Sequence, residues 1–88
     1  MSRVAVITGA AGGLGRALCG QLVVQGWRVW ALDLPSNALD GMGGERVTPL
    51  AVDLTDDAAI AQAAAKILAA DPAIDLVIHS AGVTHIRS

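Results

Sequence analysis

The chain alternates between short apolar runs and segments that are polar, glycine-rich or helical in their spacing. The runs are rich in Val, Ile and Leu, and the first and the last are apolar almost throughout. Parallel strands that are covered on both faces have this character, because neither face meets water. The pattern predicts four such strands: VAVIT (4–8), RVWALD (28–33), VTPLAVD (47–53) and IDLVIHS (74–80).

The segment after the first strand has helical spacing. Leu14, Leu18 and Leu22 recur every four residues, which predicts a helix with one apolar stripe facing a sheet. Gly26 follows at a position where a helix commonly ends on a left-handed residue. The first helix is therefore predicted to follow the glycine-rich segment directly and to end before Gly26.

A second long helix is predicted between the third and fourth strands. Thr55 is the predicted N-cap, and Asp56 and Asp57 follow in the first turn, where carboxylates interact favourably with the helix dipole. Asp71-Pro72 is expected to end the helix. Its predicted apolar face consists of Ile60, Ala63, Ala64, Ile67 and Leu68.

Between the second and third strands, Gly41, Gly43 and Gly44 leave room for only a short helix and an exposed loop. Pro35 is expected to be the first residue of that helix. The element order β-α-β-(α)-β-α-β is typical of an α/β fold with a doubly wound parallel sheet and right-handed crossovers. Residues 1–88 are then expected to form one small domain.

Composition and charge argue against several classes of function. The 88 residues carry a net charge of −2 and their basic residues are scattered, so no nucleic-acid partner is expected. No apolar run reaches the roughly 18 residues of a membrane helix, and the N-terminus has no secretory leader pattern. A cytoplasmic protein without membrane contact is therefore expected. Cys19 stands alone, which predicts a small buried apolar residue and neither a disulfide nor a metal site.

The segment TGAAGGLG (8–15) carries the main candidate chemistry. It lies where a helix begins at the carboxyl end of a parallel strand, so free N–H groups and the helix dipole can bind a pyrophosphate. We expect Gly9 to let the chain leave the strand sharply and Gly13 to let the phosphates approach the backbone. Gly15 is expected to let the helix pack closely on the sheet.

A carboxylate supports the same site. Asp33 ends the second strand, eighteen residues after Gly15, where a carboxylate can bind both ribose hydroxyls of an adenosine. The 2′-phosphate of NADP would bring like charges together there, and Gly12 and Leu34 occupy the positions where a cationic side chain would compensate. Arg16 lies on the helix and can face solvent. The sequence therefore predicts NAD rather than NADP as the cofactor.

These segments resemble the short-chain dehydrogenase/reductase family. TGAAGGLG is similar to the family's T-G-x-x-x-G-x-G loop, AVDLTD to the end of its third strand, and HSAG to its N-N-A-G segment. The resemblance covers almost the whole chain and implies a truncated Rossmann-type fold of about four strands and two to three helices. The cofactor-binding residues that this assignment gives are Gly9, Ala11, Gly12, Gly13, Leu14, Gly15, Asp33, Leu34, Asp53, Leu54, Ser80, Ala81 and Gly82.

The fourth-strand segment departs from the classical branch of that family. His79 and Ser80 replace paired asparagines that help to hold the central sheet together, which puts that stabilising role in doubt. Ser80 keeps a polar group near the expected ribose position. His79 is expected to hydrogen-bond to the backbone rather than to act as a catalytic base.

A second branch of the family fits part of the pattern. Gly9, Gly12 and Gly15 also match G-x-x-G-x-x-G, the loop of the extended branch, which includes sugar-nucleotide epimerases and dehydratases. The fourth strand of that branch commonly ends in His, as VIHSA does here. The AGVTH that begins at Ala81 is similar to the classical branch, which we favour.

The family's chemistry comes from a Ser, a Tyr and a Lys four residues after that Tyr, with an Asn before them. The chain contains no Tyr, and its only lysine is Lys66, so no catalytic residue is assigned. The resemblance implies the cofactor-binding part of a dehydrogenase that transfers hydride between NAD and an alcohol or ketone, and this part alone is expected to be inactive.

The fourth strand is expected to expose an edge that favours self-association. A non-catalytic nucleotide-binding or edge-pairing module remains an alternative, as does a fragment of an extended-type enzyme.

Overall fold

The computed structural model describes residues 3–80. The elements are β1 (Val4–Thr8), α1 (Gly13–Val24), β2 (Arg28–Asp33), α2 (Asn37–Asp40), β3 (Val47–Ala51), α3 (Asp57–Ala70) and β4 (Leu76–His79). Every predicted strand and helix is present. The third strand ends earlier than predicted and the fourth is shorter at both ends, although Val52 and Asp75 still donate their N–H groups to Asp33 and Val4 of the neighbouring strands.

Within the described part of the chain, the strands form one parallel sheet in the order β3-β2-β1-β4. β1 lies between β2 and β4, with Val6 opposite Trp30 on one side and Val77 on the other. All five residues of β1 are buried, as expected for a central strand covered on both faces. The sequence order reverses at β1, because β2 and β3 extend the sheet in one direction and β4 in the other.

The two faces of the sheet carry separate hydrophobic clusters. Side chains alternate between faces along each strand, so neighbouring residues of β1 enter different clusters. The α3 cluster contains Val4, Val6, Trp30, Leu32, Val52, Ala63 and Ile67. The α1–α2 cluster contains Ala5, Ile7, Ala10, Cys19, Val29, Ala31 and Leu39. Helices therefore cover both faces, which confirms the predicted doubly wound α/β fold.

The face that α1 presents to the sheet differs from the prediction. Gly15 and Cys19 are its buried residues, whereas Leu14 is 50% exposed. Leu18 and Leu22 are only partly buried against the α1–α2 cluster. The predicted leucine stripe is therefore wrong at its first position, because the start of the helix lies so close to the sheet that only a glycine fits there. Cys19 is buried as predicted, and this burial raises the pKa of its thiol.

Gly26 ends α1 as predicted. It adopts a φ of 91°, in the left-handed region that favours glycine. Its N–H donates to the carbonyl of Val23 at 3.0 Å, and the N–H of Trp27 donates to the carbonyl of Leu22 at 2.9 Å. This pair of hydrogen bonds is the Schellman motif, which satisfies the last carbonyls of the helix.

The starts of the other two helices differ from the prediction, by two residues for α2, which begins at Asn37 and not at Pro35, and by one residue for the cap of α3. Asp56, not Thr55, caps α3, and its carboxylate accepts the N–H groups of Ala58 and Ala59. Ser36 caps α2 through the N–H of Leu39, so the preceding proline lies outside the helix. No helix within residues 3–80 is long and apolar enough to cross a membrane.

Carboxylates join the amino ends of the strands to the rest of the fold. The buried Asp71, at the end of α3, accepts the indole N–H of Trp30 at 2.8 Å and a guanidinium N–H of Arg28 at 3.0 Å. Asp75 accepts the backbone N–H of Val4 at 2.8 Å. These bonds satisfy donors that burial would otherwise leave without water.

Candidate functional site

The predicted site residues converge at the carboxyl ends of the strands. The turn after β1, the end of β2 and the residue after β4 lie at this edge of the sheet, beside the point where the strand order reverses. Loops at such a reversal diverge to opposite faces, and the crevice between them is the usual ligand site of open α/β sheets. The described part of the site contains all assigned residues except Ala81 and Gly82, which lie outside residues 3–80.

The turn from β1 into α1 is shaped by Gly9. Its φ of 68° lies in the left-handed region, so the sharp departure from the strand requires glycine, as predicted. The carbonyl of Gly9 accepts the N–H of Gly12 at 3.2 Å, which closes the turn. Gly12 is the N-cap of α1, and Arg16 donates its N–H to the carbonyl of Gly12 at 2.9 Å.

The first turn of α1 differs from those of α2 and α3. Among the residues that the structure describes, no side chain caps the N-terminus of α1, and its first turn holds no acidic residue. α2 and α3 begin instead at Ser36 and Asp56, whose side-chain oxygens accept N–H groups. The first turn of α1 therefore presents backbone N–H groups and the positive end of a helix dipole with neither a capping side chain nor a carboxylate of its own.

Close packing around residue 15 requires a glycine at that position. A Cβ at this position would touch the carbonyl oxygen of Gly9 and would lie 2.7 Å from Cα of Ala10 and 2.9 Å from Oγ of Ser80. This agrees with the prediction that Gly15 permits close helix–sheet packing. A Cβ at Gly13 would meet no atom within 4 Å, so the fold itself places no such requirement on that residue. The role of Gly13 beside the phosphates stays a prediction.

Asp33 connects the end of β2 to the glycine turn. Its Oδ2 accepts the N–H of Ala11 at 3.0 Å, and its Oδ1 accepts the N–H of Leu34 at 2.8 Å. The neighbouring Leu34 side chain is 56% exposed. The contact with Ala11 was not predicted, because it depends on β1 and β2 being neighbours in the sheet. The carboxylate thus holds the turn and lies at the rim of the site.

Asp53 and Leu54 follow β3 at the same edge. Oδ1 of Asp53 accepts the N–H of Thr55 at 2.9 Å and its hydroxyl at 2.6 Å. These two hydrogen bonds hold the pKa of the exposed Asp53 carboxyl below its usual range. Leu54 packs at the margin of the α3 cluster. Thr55, predicted as the helix cap, therefore orients Asp53 instead.

Thr8, His79 and Ser80 join the carboxyl ends of β1 and β4. Nδ1 of His79 lies 3.0 Å from Oγ1 of Thr8. Within residues 3–80 the ring therefore bonds to a side-chain hydroxyl, whereas the sequence predicts a bond to the backbone. Oγ of Ser80 donates towards the carbonyl oxygens of Thr8 at 2.6 Å and Gly9 at 3.2 Å. Hydrogen bonds of His79 and Ser80 therefore link β4 to the end of β1.

The site contains carboxylates and a histidine, but they are dispersed. Within residues 3–80, no group of three or more His, Cys, Asp or Glu side chains is placed to hold a metal ion. The arrangement consists instead of backbone N–H groups at the start of α1, a carboxylate at the end of β2 and hydroxyls between β1 and β4. Together with the sheet order, it defines a truncated Rossmann-type α/β fold.

Comparison with known proteins places this fold in a family. Residues 3–88 match the short chain dehydrogenase family. The chain is 37% identical over 84 residues to 2-dehydro-3-deoxy-L-rhamnonate dehydrogenase (NAD(+)) of Sphingomonas sp. (strain SKA58), covering 93% of this chain and 34% of that protein. It is 36% identical over 84 residues to the NAD-dependent glycerol dehydrogenase of Listeria innocua, covering 92% and 33%.

A solved structure agrees. A short-chain dehydrogenase from Streptomyces avermitilis superimposes with a TM-score of 0.80 at 30% identity, over 88% of this chain and 30% of that one. The chain belongs to the short-chain dehydrogenase family. It spans about a third of the length of the relatives named here.

Proposed function

We propose that the chain is the N-terminal, NAD-binding part of a short-chain dehydrogenase that transfers hydride between NAD and an alcohol or ketone. The proposal depends above all on one observation: the uncapped start of α1 and the Asp33 carboxylate both adjoin the same glycine turn. A pyrophosphate would supply the anion that the helix N-terminus lacks. Gly12, Gly13 and Leu14 would surround it, the last two with N–H groups of the first helical turn.

Asp33 is proposed to bind the adenosine ribose. Its carboxylate oxygens can each accept more than one hydrogen bond, so ribose hydroxyls can bind in addition to the N–H groups of Ala11 and Leu34. A 2′-phosphate there would add a second negative charge beside the carboxylate. The two relatives named above whose names specify a cofactor are NAD enzymes, which supports NAD over NADP.

The remaining assigned residues are proposed to enclose the adenine and its ribose. Leu34 offers exposed apolar surface beside Asp33, and Asp53 with Leu54 follows the neighbouring strand β3. Ala81 and Gly82 are proposed to lie beside the ribose, as the family resemblance implies. Within the family we favour the classical branch, since the relatives named above are dehydrogenases.

The chain by itself is proposed to be inactive. No Tyr is present, and the only lysine, Lys66, lies exposed on α3. The proton transfer that the family assigns to a Tyr–Lys pair therefore has no group here to perform it. A Tyr-x-x-x-Lys in any polypeptide that continues the chain would support this assignment, and its absence there would favour the non-catalytic module.

Calorimetric titration of the chain with NAD, NADP and ADP-ribose tests the proposal. We expect binding of NAD and ADP-ribose, with weaker binding of NADP. Asp33→Asn removes the negative charge while keeping a hydrogen-bond acceptor, so it should reduce the difference in affinity between NAD and NADP. Asp40→Asn, on α2, is the matched control and should leave this difference in affinity unchanged. Absence of binding by all three ligands would refute nucleotide binding, and equal affinities for NAD and NADP would refute the preference.

The edge at β4 supports self-association as a second proposal. β4 is the last strand of the described sheet on that side, and an apolar groove of about 480 Å³ lies between it and α3. Ile60, Leu68 and Val77 line this groove and are 39%, 50% and 53% exposed. An open strand edge beside exposed apolar surface favours pairing with a second chain.

Sedimentation of the chain over a range of concentrations tests this second proposal. Val77→Lys places a charge in the groove and should shift the equilibrium towards monomer. Val24→Lys is the matched control, because Val24 is 85% exposed on α1, which packs on the opposite face of the sheet. A wild-type chain that stays monomeric at all concentrations, or equal effects of the two variants, would refute pairing at this edge.

A further inference from the structure

The hydroxyl of Ser80 lies behind the glycine turn. Ser80 is 8% exposed, and its Oγ is 2.6 Å from the carbonyl oxygen of Thr8 and 3.2 Å from that of Gly9. The backbone N–H of Ser80 also donates to the carbonyl of Thr8, at 3.0 Å. The residue after β4 thus binds the last carbonyl of β1 twice and reaches the first carbonyl of the turn.

These bonds act on the two peptides that flank Gly9, the most adaptable residue of the turn. Gly9 has no Cβ and adopts a φ of 68°, so its backbone can rotate more freely than that of any other residue type. Oγ of Ser80 bonds to the carbonyl of the Thr8–Gly9 peptide and to that of the Gly9–Ala10 peptide, and the second of these carbonyls also accepts the N–H of Gly12, the N-cap of α1. Bonds that hold both peptides therefore also help to fix where α1 begins.

The same hydroxyl limits the approach of α1 to the sheet. A Cβ on Gly15 would lie 2.9 Å from Oγ of Ser80, and it would also touch the carbonyl oxygen of Gly9. The end of β4, the glycine turn and the first turn of α1 therefore meet at one buried oxygen atom. A serine has one hydroxyl proton, which is engaged by these carbonyls and is not available to donate to a ribose.

We propose that Ser80 is a positioning residue, which holds the glycine turn in its anion-binding shape from behind. Its contribution to nucleotide binding is then indirect, in place of the direct ribose contact that its position in the sequence suggests. This inference rests on the proposed nucleotide binding by the same turn. It assigns to β4 a part in forming a site whose anion-binding groups come from β1 and α1.

Ser80→Ala in the whole chain is the direct test, with Ser36→Ala as the matched control. Both substitutions remove one serine hydroxyl that bonds to the backbone, but Ser36 bonds to the N–H of Leu39 in α2 and not to the glycine turn. The first measurement needs no ligand: amide hydrogen exchange at Gly12 should become faster in Ser80→Ala and stay unchanged in Ser36→Ala. The second is calorimetric titration with ADP-ribose, for which we expect affinity to fall about two- to tenfold in Ser80→Ala alone.

The outcomes separate this inference from nucleotide binding itself. Wild-type chain that binds no ADP-ribose refutes the proposed function, while the exchange rate at Gly12 still decides whether Ser80 holds the turn. Equal affinity and equal Gly12 exchange in Ser80→Ala and wild type overturn the inference. A loss of thermal stability without either effect assigns Ser80 a structural role only, and also overturns it. If Ser80→Ala does not fold, Ser80→Cys keeps a side chain of similar shape with a weaker donor, and the same two measurements apply.

Discussion

Gly15 is the position at which the close approach of α1 to the sheet can be tested most sharply. In Gly15→Ala, the new Cβ would lie 2.7 Å from Cα of Ala10, whereas unbonded carbon atoms are most stable about 3.5–4.0 Å apart. The start of α1 would therefore have to move away from the glycine turn by about 1 Å. The obstructing atoms at Gly9 and Ala10 belong to the backbone of the turn, so no side-chain rotation can relieve the contact.

The expected loss follows from two opposing effects. Overpacking in a well-packed interior costs about 1–3 kcal/mol, and rigid backbone atoms place Gly15→Ala in the upper half of that range. Alanine is favoured over glycine in a helix by at most about 1 kcal/mol. The net loss in the free energy of unfolding is then about 1–2 kcal/mol, which corresponds to a fall in Tm of about 4–16 °C for a chain of this size.

Urea unfolding followed by circular dichroism measures this loss. Gly20→Ala in the same helix is the matched control, because a Cβ there would meet no atom within 4 Å. We expect it to raise the free energy of unfolding by up to about 1 kcal/mol through helix propensity alone. If Gly15→Ala were as stable as wild type, or as Gly20→Ala, the argument that packing requires glycine here would be wrong.

Three further predictions concern the other parts of the site and the fold. Gly13→Ala should keep the stability of the wild type but weaken ADP-ribose binding, as measured by paired urea and calorimetric titrations, because a Cβ there meets only open space. Thr55→Val should raise the pKa of Asp53, as measured in an NMR titration, because it removes the hydroxyl that bonds to the carboxylate. The lowered pKa of Asp53 in the folded state stabilises the protein at pH values above the carboxyl's ordinary pKa of 3.8, and this stabilisation is lost as the pH falls through the folded-state pKa. The variant should therefore lose less stability than the wild type over that pH range. Asp71→Ala should lower the free energy of unfolding by about 1–3 kcal/mol, because an indole N–H loses its acceptor. Arg28→Ala, which removes a side chain that is 45% exposed, should cost less than about 1 kcal/mol, and equal losses in these last two variants would contradict this ranking.

The strands could be predicted from the sequence because their signal is local. β1 and β2 are apolar over nearly their whole length, and the structure buries them on both faces with the predicted bounds. The order of helices and strands then restricts the sheet to a doubly wound arrangement. The turn at Gly9 and the left-handed end of α1 at Gly26 were likewise predictable, since glycine is favoured in those backbone conformations.

The features that could not be predicted depend on which strands are neighbours. On α1, the leucine stripe that begins at Leu14 and the pair Gly15 and Cys19 both have a four-residue spacing, and only the contact with the turn shows that the second faces the sheet. The bond between His79 and Thr8 requires the register of β4 against β1, in which these two residues are partners. No local pattern along the chain gives that register, because it depends on how two distant strands pack together.

The pairing of β1 with β4 also has a kinetic consequence. β2 reaches β1 through a connection that closes within a short stretch of chain, but the bond from Ser80 to Thr8 joins residues 72 positions apart. Contacts between distant residues form late, because the entropy of closing a long loop must be lost before they stabilise anything. During synthesis, the first strand and its turn therefore exist without their partner until almost the whole of this sequence has been made. The glycine turn, although encoded within the first fifteen residues, is therefore completed only once Ser80 has joined Thr8.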